Sequence, residues 1–250
     1  MPKAAALLFS AVAGLLYCGS ALAKVEPKAL IVATETTYRP FAYVAQDGQV
    51  VGIDIEIARA LCRQIKRICD IQDRPFDSLL DDVEEGRVDM AIAALDITSE
   101  RRAQVAFSDP YYRNEAVYVT LAKLPTASAL GGDIGVQNGS SHMAYLIAEK
   151  KWNIIHFETY SDALQALKQG RISAVFADRL VATAWLENRG GQQLRIVGNK
   201  VRSLRHFGRG MGIAVNQDNE ALLELVNDGL DALEASGELE RILERYMPGH

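Results

Sequence analysis

Between Asp89 and Tyr112 the chain reads DMAIAALDITSERRAQVAFSDPYY, which sets Asp96-Ile97-Thr98 and Arg101 just beyond a short apolar run from Met90 to Leu95. An arginine presents a flat fork of N–H donors that matches a carboxylate at two points, and a nearby hydroxyl and turn amides can complete the ring around it. The chemistry offered by this spacing is capture of a free carboxylate. A lone arginine in the first turn of a helix would otherwise be an ordinary exposed charge. Other chemistries are poorly supported. His142, His156, His206 and His250 are scattered without a zinc-ligand spacing, and no nucleophile-elbow pattern occurs, so neither catalytic residues nor a metal are expected. Gly208, Gly210 and Gly212 precede the apolar run Ile213–Val215 instead of following a strand into a helix, which reads as a tight turn and not as a nucleotide loop. No cofactor is expected.

The elements that must position Arg101 come as two similar halves. Ala29 to Ala33 reads as a strand running into Glu35-Thr36-Thr37-Tyr38, and Asp133 to Val136 as a strand running into Asn138-Gly139-Ser140-Ser141-His142. A helix from Asp77 to Glu85 ends at Gly86, followed by Arg87-Val88 and a strand to Ala94. A helix from Ser161 to Gln169 ends at Gly170, followed by Arg171-Ile172 and a strand to Asp178. Glycine after a helix suits a left-handed C-cap, and the continuous apolar runs suit buried parallel strands. Superposing the two glycines sets Asp178 opposite Ala94, so both candidate positions fall at strand carboxyl ends, where open α/β sheets collect ligands. Taken alone, Asp178 could equally cap a helix from Arg179 to Leu186.

Lys3, the apolar run Ala4–Tyr17 and Ala21-Leu22-Ala23 form a secretory leader, predicting residues 1–23 as a signal peptide cleaved after Ala23. The run is too short to span a bilayer. Cys18 could mark a lipoprotein, but Tyr17 stands where lipoprotein signals need a small residue. Loss of Lys3 moves the formal charge from −5 to −6, which argues against nucleic acid as a partner. Cys62 and Cys69 then remain as an even pair in an oxidising compartment. In an unbroken helix they would lie about 10 Å apart, too far for a disulfide. They are either two buried thiols or a bridge that needs the helix stripe Ile57, Leu61, Ile65 to end before Cys69.

The Asp89–Tyr112 string closely resembles the signature of the periplasmic polar amino-acid solute-binding proteins of ABC transporters, the family 3 extracellular solute-binding proteins, and within them the arginine and lysine/arginine/ornithine binders. Ala33-Thr34-Glu35 and Val136-Gln137-Asn138-Gly139 resemble the arginine binders as well. The resemblance covers nearly all of the mature chain. It implies a two-lobed α/β periplasmic binding protein fold (type II) with a ligand cleft between the lobes. Residues 24–114 and 202–250 would form lobe 1, and residues 115–201 lobe 2. Family members carry a cysteine pair at the same spacing, which implies that Cys62 and Cys69 are bridged.

The resemblance also implies roles at the site. Arg101 would bind a ligand α-carboxylate, helped by the Asp96 amide and by Ser141, and Asp178 would bind the α-ammonium. Tyr38 and Phe76 would sandwich the ligand side chain, and His142, at the end of the loop that begins at Asn138, would be a further ligand-binding residue. The lysine/arginine/ornithine and histidine binders have serines where this chain has Ala93, Ala94 and Asp96, so Ala94 offers only its backbone carbonyl. Gln137 stands where the glutamine binder has a lysine. Glu35 and Asp54, expected at the distal end of the pocket, favour a cation; Asp54 could instead stabilise a helix N-terminus. The implied protein is a periplasmic monomer that captures a cationic L-amino acid, arginine first, by hinge closure and presents it to a membrane permease. Alternatives on this fold are binders of a neutral polar amino acid or an opine, a sensor input domain, and periplasmic cyclohexadienyl or arogenate dehydratases.

Overall fold

The computed structural model describes residues 29–113, 115–125, 130–187 and 192–247. The leader, its cleavage point after Ala23, Cys18 and His250 lie outside the described residues. Two five-stranded sheets carry the architecture, and they repeat one plan. In the first sheet Leu30–Thr34 lies between Cys69–Asp73 and Met90–Ala91, all three parallel. In the second, Ile134–Gln137 lies between Ile154–Phe157 and Ala174–Asp178, again parallel. Each parallel set is then extended by antiparallel strands: Ala214–Val215 and Ala106–Phe107 in the first, Ala116–Leu121 and Leu194–Val201 in the second. The two sheets form the cores of two similar α/β units, in keeping with the expected two-lobed α/β architecture.

Local sequence explains the repeat. Helix Leu79–Glu84, entered through a single 3-10 turn at Phe76–Ser78, and helix Tyr160–Lys168 each end two residues before a glycine, Gly86 and Gly170 respectively. Those glycines have φ of 69° and 72°, a region that costs glycine nothing for want of a Cβ. After each turn the chain re-enters its sheet beside the first strand. The third strand of the first sheet is shorter than expected: its pairing covers only Met90–Ala91 and not the run to Ala94. The reason is a turn in which Ala94 adopts a left-handed φ of 49°, a conformation rare for a residue with a Cβ.

Helix Ile53–Gln64 buries Ile53, Ile57 and Leu61 and ends before Cys69, and Cys62 and Cys69 are joined in a disulfide with 6.1 Å between Cα atoms. Helix Glu220–Ala235, capped by Asn219, lies on this helix, with Gly229 set directly against Leu61. Helix Glu238–Tyr246 follows it and is tied back by Tyr246 and Arg245 to Glu56. Fully burying a leucine, isoleucine or valine stabilises a fold by about 1.5–3 kcal/mol, so this layer of Ile57, Leu61, Val226 and Leu230 anchors the C-terminal helices to the first sheet. Among the described residues, no helix is long and apolar enough to cross a membrane.

Candidate ligand site

Glu35 follows strand Leu30–Thr34, Ala94 and Asp96 follow Met90–Ala91, Gln137 ends Ile134–Gln137, and Asp178 ends Ala174–Asp178. These carboxyl ends face one another across a narrow cleft, and side chains from the two sheets meet there. Tyr38 donates its hydroxyl to Asp178 Oδ2 at 2.5 Å, and Ser141 donates to Asp96 Oδ2 at 2.5 Å. Gln137 Nε2 donates to Glu35 Oε2 at 3.2 Å, and Arg101 Nη2 to the Gly139 carbonyl at 3.1 Å.

Arg101 sits in the single turn Ser99–Arg102, whose N-cap, Thr98, accepts the Arg101 backbone N–H at 3.2 Å. Its guanidinium donates to the Asp96 carbonyl at 3.2 Å and lies 5.7 Å from the Phe76 ring centroid. Burial pulls the guanidinium below its usual pKa, opposed by the charges of Asp96, Glu100 and Asp178. The loop carrying Asp96 is held from behind by the returning chain. Ile97 N–H donates to the Gly210 carbonyl at 2.9 Å, and Gly208, at φ 58°, passes so close that a Cβ there would collide with the Ile97 carbonyl.

Of the residues expected from sequence, Tyr38, Phe76, Ala94, Arg101, Gln137, Ser141, His142 and Asp178 line the cleft. Glu35 and Asp96 stand just behind that lining, bonded to Gln137 and Ser141. Asp54 departs from expectation. It is fully buried in the first turn of helix Ile53–Gln64, where one oxygen accepts the Ala94 N–H at 2.8 Å and the other the Tyr111 hydroxyl at 2.8 Å. Its carboxylate therefore holds Ala94 in the left-handed turn from behind instead of reaching the cleft. Burial pushes Asp54 up to about 7, against the lowering effect of those two hydrogen bonds.

Glu35 and Asp96 are shifted in the same sense. Burial, with a smaller repulsion from Asp73, raises Glu35, while Thr37 and Gln137 hydrogen bonds oppose the rise. Asp96 is pushed up to about 7 by burial and then by the charge of Asp178. His142 Nε2 lies 3.4 Å from Asp178 Oδ1, close enough for an ion pair. Burial disfavours its protonation, but the charges of Asp178 and Asp96 outweigh burial and raise its pKa. The centre of the cleft is thus a ring of desolvated, mutually repelling acids with Arg101 as its permanent cation. Such an arrangement is stabilised by a ligand that brings a cation to the acids and an anion to the arginine.

Ser140, Tyr160, Phe176 and Ala177 also line the cleft and were not expected from sequence. Ser140 caps helix Ser141–Glu149 by accepting the Met143 N–H. The offset between Gly86 and Gly170 that pairs Ala94 with Asp178 also pairs Phe76 with Tyr160, so the repeat itself pointed to Tyr160. A wider groove of about 920 Å³ runs past Arg113, Glu115, Arg179, Lys200 and Arg202, but Glu115 ties Arg179, Lys200 and Arg202 together at the exposed surface. It lacks the convergent buried polar groups that mark a small-molecule site.

The family model of the bacterial extracellular solute-binding proteins, family 3, matches residues 30–249. The chain belongs to this family. This family 3 protein is 38% identical over 217 residues to ABC transporter arginine-binding protein 1 of Escherichia coli (strain K12), covering 85% of this chain and 88% of that one. It is 34% identical over 220 residues to the arginine-binding periplasmic protein of Mannheimia haemolytica, covering 88% and 91%. Among solved structures, it superposes with a TM-score of 0.83 and 33% identity on a Salmonella typhimurium periplasmic binding protein described for its high arginine specificity, covering 88% of this chain and 100% of that one.

Proposed function

We propose that this family 3 protein is the periplasmic substrate-binding component of an amino-acid ABC importer and that it captures a cationic L-amino acid, arginine in preference to others, by closing its two lobes on it. One observation carries the reading: buried Arg101 and buried Asp178 are presented by different sheets to the same cleft. A single zwitterion can satisfy both only when the two sheets are drawn together, so ligand binding and closure are one event, and the ligand shifts the population because it binds the closed state better. The arginine-binding relatives support this choice of ligand.

In this reading Arg101 takes the α-carboxylate with the Asp96 amide and Ser141, and Asp178 takes the α-ammonium beside the Ala94 carbonyl. Tyr38 and Phe76 enclose the side chain, and His142 and Gln137 close the second wall. Glu35, desolvated and flanked by Asp73, receives the guanidinium. Asp54 acts through Ala94 and not by touching the ligand. Lobe 1 comprises residues 24–114 and 202–250 and lobe 2 residues 115–201. Export with cleavage after Ala23 delivers a monomer that hands its ligand to a membrane permease.

Calorimetric titration of the mature protein with arginine, lysine, ornithine, histidine, glutamine and octopine tests the proposal, alongside incubation with prephenate and product analysis. Arginine should bind most tightly, with a smaller radius of gyration by X-ray scattering at saturation. Absence of binding to every free amino acid, or turnover of prephenate, would overturn it.

A further inference from the structure

The two cleft carboxylates are each half used. Asp178 Oδ2 accepts the Tyr38 hydroxyl and Asp96 Oδ2 accepts the Ser141 hydroxyl, while Oδ1 of each is buried without a hydrogen bond from the protein, Asp178 Oδ1 facing His142 Nε2 at 3.4 Å. Another buried oxygen in the same condition, and one that lines the cleft, is the hydroxyl of Tyr160. This residue is only 2% exposed, lines the cleft with Asp178, and packs edge-on against Tyr38 with 5.7 Å between ring centroids. Tyr38 in turn has its hydroxyl on Asp178, so the Tyr160 ring stands beside the aspartate's approach. Burial, and to a lesser degree the charge of Asp178, raise the Tyr160 phenol above its usual pKa.

Packing does not require this hydroxyl. The equivalent position in the first half of the chain is Phe76, which lines the opposite wall with a bare ring. Nor does the surrounding protein use it, and burying an unpaired hydroxyl lowers stability. A primary ammonium supplies three N–H donors, each of which needs an acceptor once water is removed. On this side of the cleft the Tyr160 oxygen joins Asp96 Oδ1 and Asp178 Oδ1, the last approached by His142 Nε2 at 3.4 Å, as an acceptor to which no protein group donates a hydrogen bond.

We propose that Tyr160 is a specificity-determining residue that accepts one N–H of the ligand's α-ammonium, favouring amino acids with a primary α-amine and discriminating against N-substituted ones, the opines included. This rests on the reading that the ligand is an amino acid whose ammonium meets Asp178. An N-alkylated amine has one N–H donor fewer, and a substituent on the Tyr160 side lies against the phenol oxygen. That oxygen stays desolvated and unpaired, a penalty of the kind that gives polar sites their sharpest discrimination.

Tyr160→Phe tests this because it removes one atom and keeps the ring. The mature wild-type and variant proteins are titrated calorimetrically with arginine and with Nα-methylarginine. If another amino acid from the panel binds better, that acid and its Nα-methyl derivative are used instead. Wild type should prefer the primary amine by at least about tenfold. Tyr160→Phe should weaken arginine by about tenfold while changing Nα-methylarginine by less than about twofold, so that the preference collapses. The melting temperature of the ligand-free variant should equal or exceed that of wild type, because a hydroxyl without a partner has been deleted. Equal losses for both ligands with a lowered melting temperature would assign the hydroxyl a structural role and overturn the proposal, as would an unchanged arginine affinity. Failure of wild type to bind any free amino acid would instead sink the proposed function itself, an outcome read before the variant is made.

Discussion

Replacement of Glu35 by glutamine gives the sharpest test of cation selectivity, because the surroundings of this side chain define what the change removes. An ionised carboxylate has about four lone-pair positions. At Glu35 the Thr37 hydroxyl takes one, and Gln137 Nε2 takes another on the second oxygen at 3.2 Å. Two positions remain, enough for the paired N–H groups of a guanidinium. In Glu35→Gln the remaining carbonyl can still accept from Gln137, and the Thr37 hydroxyl can rotate to accept from the new amide, so the local network survives. What disappears is the charge, and the amide N–H₂ now faces the guanidinium donors. Hydrogen bonds to a charged partner contribute roughly 1.5–3 kcal/mol each, so losing the equivalent of one corresponds to a fall in arginine affinity of about tenfold to a hundredfold. Citrulline, the neutral analogue of nearly the same shape, should lose little or gain. The pH dependence supplies a second readout. Burial raises the Glu35 pKa, so the fraction ionised, and with it arginine affinity, should increase as pH rises through that raised value. The glutamine variant should lack this share of the slope. Titration calorimetry of both proteins with both ligands between pH 5 and pH 8 decides the matter. Equal losses for arginine and citrulline, or an unaltered pH slope, would show that Glu35 only shapes the pocket.

Three further outcomes are expected. Arg101→Ala should nearly abolish amino-acid binding, since removing the partner of a desolvated charge costs about 2–5 kcal/mol; an affinity loss below threefold in calorimetry refutes the carboxylate clamp. Asp54→Asn should keep both hydrogen bonds, accepting from Ala94 and donating to Tyr111, and leave arginine affinity within about twofold, a change of at most about 0.4 kcal/mol. Because folding raises Asp54 from 3.8 to about 7, its contribution to stability is full at low pH and declines as pH rises between those values. The variant should therefore lose part of that decline, worth up to about 1.4 kcal/mol per pH unit, with Asp96 retaining its own share. Urea melts at pH 4.5 and 7.5 with parallel shifts for both proteins would contradict this. Exported protein should be two hydrogens lighter by intact mass than its reduced form, reflecting the Cys62–Cys69 bridge. Replacing both cysteines by alanine should lower unfolding stability by roughly 2–3 kcal/mol for so short a loop, and an unchanged denaturation midpoint would count against it.

Much of the molecule is written locally. The paired glycines at 86 and 170, the apolar runs after them and the carboxyl-end positions of Glu35, Gln137 and Asp178 can be read from the chain, because helix termini and buried strands depend on residues close in sequence. Arg101 was legible for the same reason: Thr98, three residues earlier, caps the turn that aims it. Tyr160 was implicit in the repeat, although its burial and its unpaired hydroxyl were not. The fate of Asp54 could not be read at all. A carboxylate in the first turn of a helix looks the same whether it faces solvent, a ligand or, as here, the backbone of a residue forty positions away. The left-handed turn at Ala94 was hidden because alanine carries no signal for it; the conformation is imposed by Asp54 behind and by the chain returning through Gly208 to Met211. That return, which inserts Ala214–Val215 between Met90–Ala91 and Ala106–Phe107, pairs segments more than a hundred residues apart. Local periodicity records which face of an element is buried, whereas the partner it is buried against is settled only by the packing of the whole chain, and here that packing decides which carboxylates reach the cleft and which support it from behind.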